Sequence, residues 1–250
     1  MATLRGKSAI VMGASSGVGK ATARTLAAEG VRVTAVARDQ GRLRALKAEA
    51  PESVEIVQAD VSDPSLATRL LGEIRPDVVV LTAGVQPVMG PLDELSWEDF
   101  SAAWNSDLKA AFHLLGAAFR LPLRPGSIVV LVSSGAAING SHLSGGYAGA
   151  KRMQWFLAGY AQRLSDSRKL GIRTLAVLPT QLIEGTTIAD VASSTYGAAL
   201  GISGRDYLNR FDILLDTQKV ADAIASVLRG EVADGVTAIG VSGRGVEPIT

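Results

Sequence analysis

Seven short apolar runs, at 8–12, 31–37, 54–58, 78–82, 128–132, 174–178 and 236–241, constrain this chain more than any other feature. Each has the length of a strand, several are β-branched, and most lack polar alternation. Strands that read this way are buried on both faces, and such strands belong to parallel sheets covered by helices. Helical patterns fill the intervals, at about 17–29, 40–50, 64–74, 97–120, 147–168 and 217–229. Strand–helix–strand alternation at this spacing implies right-handed crossovers. The expected architecture is therefore α/β: three layers, doubly wound, with about seven parallel strands and helices on both faces. Residues 180–215 break the rhythm, with no clear strand and weak helical periodicity. A segment of that length inside a compact domain is expected to be functional. It reads as an apolar lid over a substrate, or as two short helices whose Leu182, Ile188, Tyr196, Tyr207 and Phe211 serve a core or a subunit interface.

The chain has 250 residues with no linker or repeat, so 1–250 is read as one domain. Its 25 Lys+Arg against 24 Asp+Glu leave a net charge of +1, which argues against a nucleic-acid partner. No run approaches the roughly 18 apolar residues of a membrane span. The absence of cysteine excludes a disulfide scaffold, an iron–sulfur cluster, a cysteine zinc site and a thiol nucleophile. The two histidines, His113 and His142, are too few and too far apart for a metal site, and no metal is expected. Met1–Lys7 has no signal-peptide core, and a cytoplasmic location is expected.

After the first strand comes Gly13-Ala14-Ser15-Ser16-Gly17-Val18-Gly19, then a helix. Glycine allows the backbone to bend sharply and to approach a phosphate, while the helix N-terminus offers free N–H donors and a positive dipole end. The glycines alone would also serve to turn the chain and pack helix on strand. The second strand ends at Ala37-Arg38-Asp39. At that point an acidic residue accepts from a free ribose 2′-hydroxyl, whereas a guanidinium pairs with a 2′-phosphate. Ala37 stands at the acid position with Arg38 after it, so NADP(H) is favoured over NAD(H). Asp39 is read as a helix N-cap, with the ribose as its alternative. Asp60 and Val61 follow the third strand, placed either to hold an adenine or to cap the next helix. Ala83 and Gly84 form a small turn after the fourth strand, close to a cofactor.

The fifth strand runs into Ser133-Ser134; Tyr147 and Lys151 follow, opening a helix on one face at i,i+4 spacing. A free phenol, with a pKa near ~10, is a poor base at neutral pH. A neighbouring ammonium and an oxidised nicotinamide both stabilise a phenolate, and the phenol donates a proton to a carbonyl as hydride arrives. Ser134 is placed to orient that oxygen. Taken singly, Tyr147 reads equally as a packed ring, Lys151 as a solvated charge and Ser134 as a turn residue.

On these residues the chain resembles the short-chain dehydrogenase/reductase family, over essentially its whole length. The matched elements are Gly13-x-x-x-Gly17-x-Gly19, Asp60-Val61, Ala83-Gly84, Ser134/Tyr147/Lys151 and Pro179. The resemblance implies a Rossmann-type domain with a nicotinamide cofactor. Tyr147 would act as acid/base, Lys151 would support it and bind the nicotinamide ribose, and Ser134 would position substrate. It also implies a homodimer or homotetramer built on the helices at about 97–120 and 147–168. The chain departs from the pattern at Met12, at Leu81-Thr82 before Ala83, at Thr180 after Pro179, and at Asp107, which aligns with an asparagine of the family's catalytic set. Asn105 lies two residues off that position. An Asp there keeps the structural hydrogen bonds but opposes phenolate formation by its charge. The expected activity is NADP(H)-dependent hydride transfer to or from a small, apolar carbonyl or alcohol. The alternatives are a weak or inactive NADP(H)-binding regulator and, disfavoured by length and glycine spacing, a sugar-nucleotide epimerase.

Overall fold

The computed structural model describes residues 3–249. In chain order its elements are β1 (Ser8–Met12), α1 (Gly17–Ala28), β2 (Arg32–Ala37), α2 (Gln40–Glu49), β3 (Val54–Gln58), α3 (Pro64–Ile74), β4 (Val78–Leu81), α4 (Trp97–Ala103), a π turn (Trp104–Leu108), α5 (Lys109–Arg120), β5 (Ile128–Val132), α6 (Ala136–Asn139) and α7 (Gly145–Ser167). There follow β6 (Arg173–Pro179), β7 (Ile183–Glu184), α8 (Thr187–Ala199), α9 (Gly204–Leu208), β8 (Leu215–Asp216), α10 (Thr217–Leu228), β9 (Ala238–Ser242) and β10 (Gly245–Pro248).

The main sheet runs β10-β9-β6-β5-β4-β1-β2-β3. Alternate residues of each strand enter different cores. Ala9 and Val11 of β1 pack with Leu26, Leu43 and Ile224 of α1, α2 and α10. Ile10 and Met12 pack with Leu70, Leu114 and Ala158 of α3, α5 and α7. Burial on both sides is why these strands read as unbroken apolar runs. The fold is the expected three-layer Rossmann-type α/β architecture. The strand order reverses between β1 and β4, and in such sheets ligands bind beyond the strand ends at that switch point.

Three elements differ from the sequence reading. All seven expected strands are present and parallel, but β10 adds an eighth, antiparallel to β9. All four of its residues are exposed, and its Gly, Glu and Pro carry no strand pattern, as befits an edge. The expected continuous helix 97–120 is broken by the π turn, which aims the buried Asp107 inward. Residues 180–215 do contain strand: Ile183 and Glu184 pair in parallel with Leu215 and Asp216, closing a neck under α8 and α9. Two-residue strands are too short for periodicity to reveal. No helix among the described residues is long and apolar enough to cross a membrane, and the described residues hold no cluster of metal-ligating side chains.

Candidate active site

A cleft of about 580 Å³ opens at the switch point. One wall is the glycine turn. Gly13 has φ +96°, and a Cβ there would lie 2.5 Å from Ala83 N, while a Cβ on Gly19 would lie 2.2 Å from Gly13 O. Two backbones and a helix thus meet where no side chain fits. Thr82 closes the same junction by donating its hydroxyl to Met12 O at 2.9 Å. Ser16, the N-cap of α1, makes no side-chain cap bond, and the first turn carries no acidic residue. The helix N-terminus therefore keeps donors for an anion in the cleft.

At the far end Ala37 is buried and Arg38 exposed; no described carboxylate forms an ion pair with Arg38. Asp39 caps α2, as expected: Oδ1 accepts from Arg42 N at 3.0 Å and Oδ2 lies 3.3 Å from Arg42 Nε. Its carboxylate is already engaged, and Arg42 joins Arg38 in the cleft lining. Asp60 is not the cap of α3, the alternative weighed from sequence. Asp63 takes that place by accepting from Ser65 N. Asp60 instead accepts from the Ser62 amide and hydroxyl, which hold its carboxyl below the usual carboxylate range.

At the other end β5 delivers Ser133 and Ser134, and α7 delivers Tyr147 and Lys151. Ser133 donates to Lys151 O at 2.7 Å, tying strand end to helix. Ser134 Oγ accepts from Ala136 N at 3.2 Å. Lys151 Nζ lies 5.5 Å from the centre of the Tyr147 ring and 3.0 Å from Asp107 Oδ2, with side-chain exposures of 5% and 0%. Asp107 Oδ1 accepts from Val85 N; apart from the ammonium, Oδ2 has no partner. Burial works to lower the Lys151 pKa, but Asp107, aided by Tyr147, outweighs it and holds the ammonium above the usual lysine value. A Cβ on Gly84 would lie 2.8 Å from Asp107 Oδ2, so the turn after β4 must be glycine to seat this pair.

The cleft lining brings together Gly13, Ser15, Ser16, Gly17, Val18, Gly19, Arg38, Asp60, Val61, Ala83, Gly84, Ser134, Tyr147, Lys151 and Pro179. Asp107 stands behind that lining and reaches it through Lys151. Asn105 is exposed and donates to Ser101 Oγ, away from the lysine. Among the residues not singled out by the sequence, three bear on the site. Arg42, in the first turn of α2, follows Arg38 by four residues across the helix N-cap. Gln86 lines the cleft beside Val85. Gln154, buried, donates to the backbone carbonyl of Asp107 at 2.9 Å; with no π turn expected, nothing flagged a free carbonyl there.

Residues 7–195 match the family model for short chain dehydrogenases. The chain belongs to the short-chain dehydrogenase/reductase family, oxidoreductases that interconvert carbonyl and alcohol groups with a nicotinamide cofactor. It is 30% identical to an L-xylulose reductase of Bos taurus, over 94% of each chain. It is 30% identical to a 3beta-hydroxysteroid dehydrogenase of Mediterraneibacter gnavus, over 79% of this chain and 74% of the relative. An NADPH-dependent pterin aldehyde reductase of Arabidopsis thaliana is 28% identical over 76% and 79%. A solved short chain dehydrogenase/reductase family protein superposes with a TM-score of 0.78 at 23% identity, over 97% of this chain and 98% of that one, a likeness of fold.

Proposed function

We propose that this chain is an NADP(H)-dependent oxidoreductase acting on a small, uncharged, largely apolar carbonyl or alcohol. The observation that carries the reading is one cleft that holds the glycine turn and open helix end at one side and Ser134, Tyr147 and Lys151 at the other. The cradle fits a dinucleotide, because the α1 N-terminus, uncapped by Ser16 and free of acidic residues, keeps its N–H donors beside a turn that Gly13 and Gly19 let pack tightly. The nicotinamide, when bound, supplies or receives the hydride. The turn 13–19 and the α1 N-terminus hold the pyrophosphate through backbone N–H groups. Arg38, with Arg42 beside it, holds the 2′-phosphate, while Asp60 and Val61 flank the adenine, and Ala83, Gly84 and Pro179 border the nicotinamide end.

Tyr147 gives its phenolic proton to the carbonyl oxygen in reduction and removes the alcohol proton in oxidation. Ser134 holds that oxygen. Lys151 places positive charge beside the phenol, and Asp107 fixes the lysine while offsetting part of that charge. The cleft lining includes the apolar Val85, Leu182 and Ile188, and the lysine one helical turn from Tyr147 is already paired with Asp107. This supports an uncharged substrate. The Arabidopsis relative carries NADPH in its name, which supports the cofactor choice.

A paired titration with NADPH and NADH, followed by nicotinamide fluorescence, tests the cofactor. NADPH is expected to bind at least tenfold tighter, about 1.4 kcal/mol, with Arg38→Ala erasing the difference. Equal or tighter NADH binding sinks the 2′-phosphate assignment. Tyr147→Phe is expected to keep NADPH binding and lose turnover of carbonyl compounds. The paired charges of Lys151 and Asp107 support a second reading, a regulator that binds NADP(H) without turnover. Cofactor binding with no activity in a broad carbonyl and alcohol screen, unchanged by Tyr147→Phe, would favour it.

A further inference from the structure

Ser144 is the N-cap of α7, the helix that carries Tyr147 three residues on, yet its side chain makes no cap bond. The residue is buried, so its hydroxyl needs a partner elsewhere. That partner is Ser141 Oγ, at 2.6 Å. Ser141 is also hydrogen-bonded with the hydroxyl of Tyr196, which sits on α8 in the 180–215 segment. A chain of three hydroxyls thus runs from this segment into the first turn of α7.

The Tyr196 ring is packed as well. It stacks on Tyr207 of α9 with centres 5.6 Å apart, and Tyr207 meets Phe211 edge-on at 6.5 Å. His142, from the same loop as Ser141, lies 6.1 Å from Tyr196. Burial, with Tyr196 beside it, pushes the Tyr207 hydroxyl above its ordinary value against the pull of Arg210. The segment touches the rest of the molecule elsewhere too. Arg244 of the β9–β10 hairpin pairs with Asp212 at 2.9 Å, and a Cβ on Gly17 would lie 3.7 Å from Thr186. Of these contacts, the Tyr196 hydroxyl is the one that reaches the helix bearing Tyr147 and Lys151.

We infer that Tyr196 is a positioning residue, its hydroxyl latching the 180–215 segment over the cleft by bonding the loop that opens α7. The segment lines one side of the cleft through Leu182, Thr186 and Ile188, so release of the latch lets that wall swing away. For the retention of cofactor this rests on the nicotinamide reading above; for the latch itself it does not.

The test uses the full chain, with Tyr196→Phe and Ser141→Ala separately and together. Tyr196→Phe keeps the stacked ring and removes only the hydroxyl. Without cofactor, trypsin is expected to nick the exposed Arg205 and Arg210 about threefold faster or more in either variant, on the scale of one net hydrogen bond. The double variant is expected to match Ser141→Ala alone, because with Ser141 gone the Tyr196 hydroxyl has no latch bond left to lose. The rate of NADPH release in stopped flow is expected to rise by a similar factor. Additive single effects, unchanged nicking within 205–210, or equal acceleration at sites outside 180–215 would each overturn the latch. A wild type that fails to bind NADPH removes the nicotinamide reading, while the cofactor-free nicking still decides the latch.

Discussion

Asp107 concentrates the chemistry that is particular to this chain, for it buries a carboxylate against the one lysine beside Tyr147. Removing one member of a buried pair strands the other, at a cost of about 3–5 kcal/mol. Asp107→Leu should therefore lower unfolding stability by about that amount in urea titrations, and Lys151→Met on top should recover part of it. A double mutant no more stable than Asp107→Leu would show that the pair is not coupled. The pH dependence follows from the same contact. The folded Lys151 pKa lies above the ordinary value, so its contribution is whole below about pH 10.4. It is lost as pH rises through the higher folded value. Asp107→Asn should flatten that alkaline loss. Gly13 offers a second residue-scale test. With φ +96° and Ala83 N 2.5 Å from a built Cβ, Gly13→Ala is expected to destabilise by about 1–3 kcal/mol and to weaken cofactor binding at least tenfold, read by fluorescence titration.

At the scale of elements, the α2 N-terminus separates two roles the sequence left open for Asp39. Its carboxylate caps the helix and meets Arg42. Asp39→Ala should thus cost about 1 kcal/mol of stability and leave the NADPH/NADH preference unchanged. A selective loss of NADH affinity would return the ribose role to Asp39. What the sequence made legible follows the same logic. Strands buried on two faces, such as Val129–Leu131, announce themselves by composition, and the glycine turn does so by spacing. The Tyr147/Lys151 pair was legible because four residues is nearly one helical turn. The π turn was not, since its pattern on 97–120 is that of an ordinary helix and one inserted residue leaves no mark. Nor was β10, whose exposed side chains face no core to impose a period. The hydroxyl chain of Ser141, Ser144 and Tyr196 joins residues 55 apart through tertiary packing alone, and serines and tyrosines at such separation carry no local signal.

Across the whole molecule the exposed apolar side chains are unevenly shared between the two helical layers. Trp97 is 77% exposed, Phe112 62%, Tyr160 52%, Phe156 40% and Trp104 38%, all on α4, the π turn, α5 and α7. None of the large exposed apolar residues belongs to α1, α2 or α10 on the opposite face. Phe156 and Tyr160 lie stacked one turn apart, with Arg152 over Phe156 and Arg163 over Tyr160, so the rings are presented as a surface with cations set among them. Aromatic and Arg side chains are the types enriched at protein interfaces, and exposed apolar area of this kind marks sites of association. Self-association through the α5/α7 layer is the reading proposed for it, because a second copy brings the same rings to meet these. Light scattering on the eluting protein at micromolar concentration should give a mass of two or four chains. Phe112→Glu with Tyr160→Glu puts like charges into that contact and should shift the mass to one chain, with the far-ultraviolet circular dichroism unchanged because both side chains lie outside the two cores. An oligomer that survives both substitutions would move the contact to another face, with the exposed edge of β10 next in line, since an unpaired strand edge invites pairing with its copy.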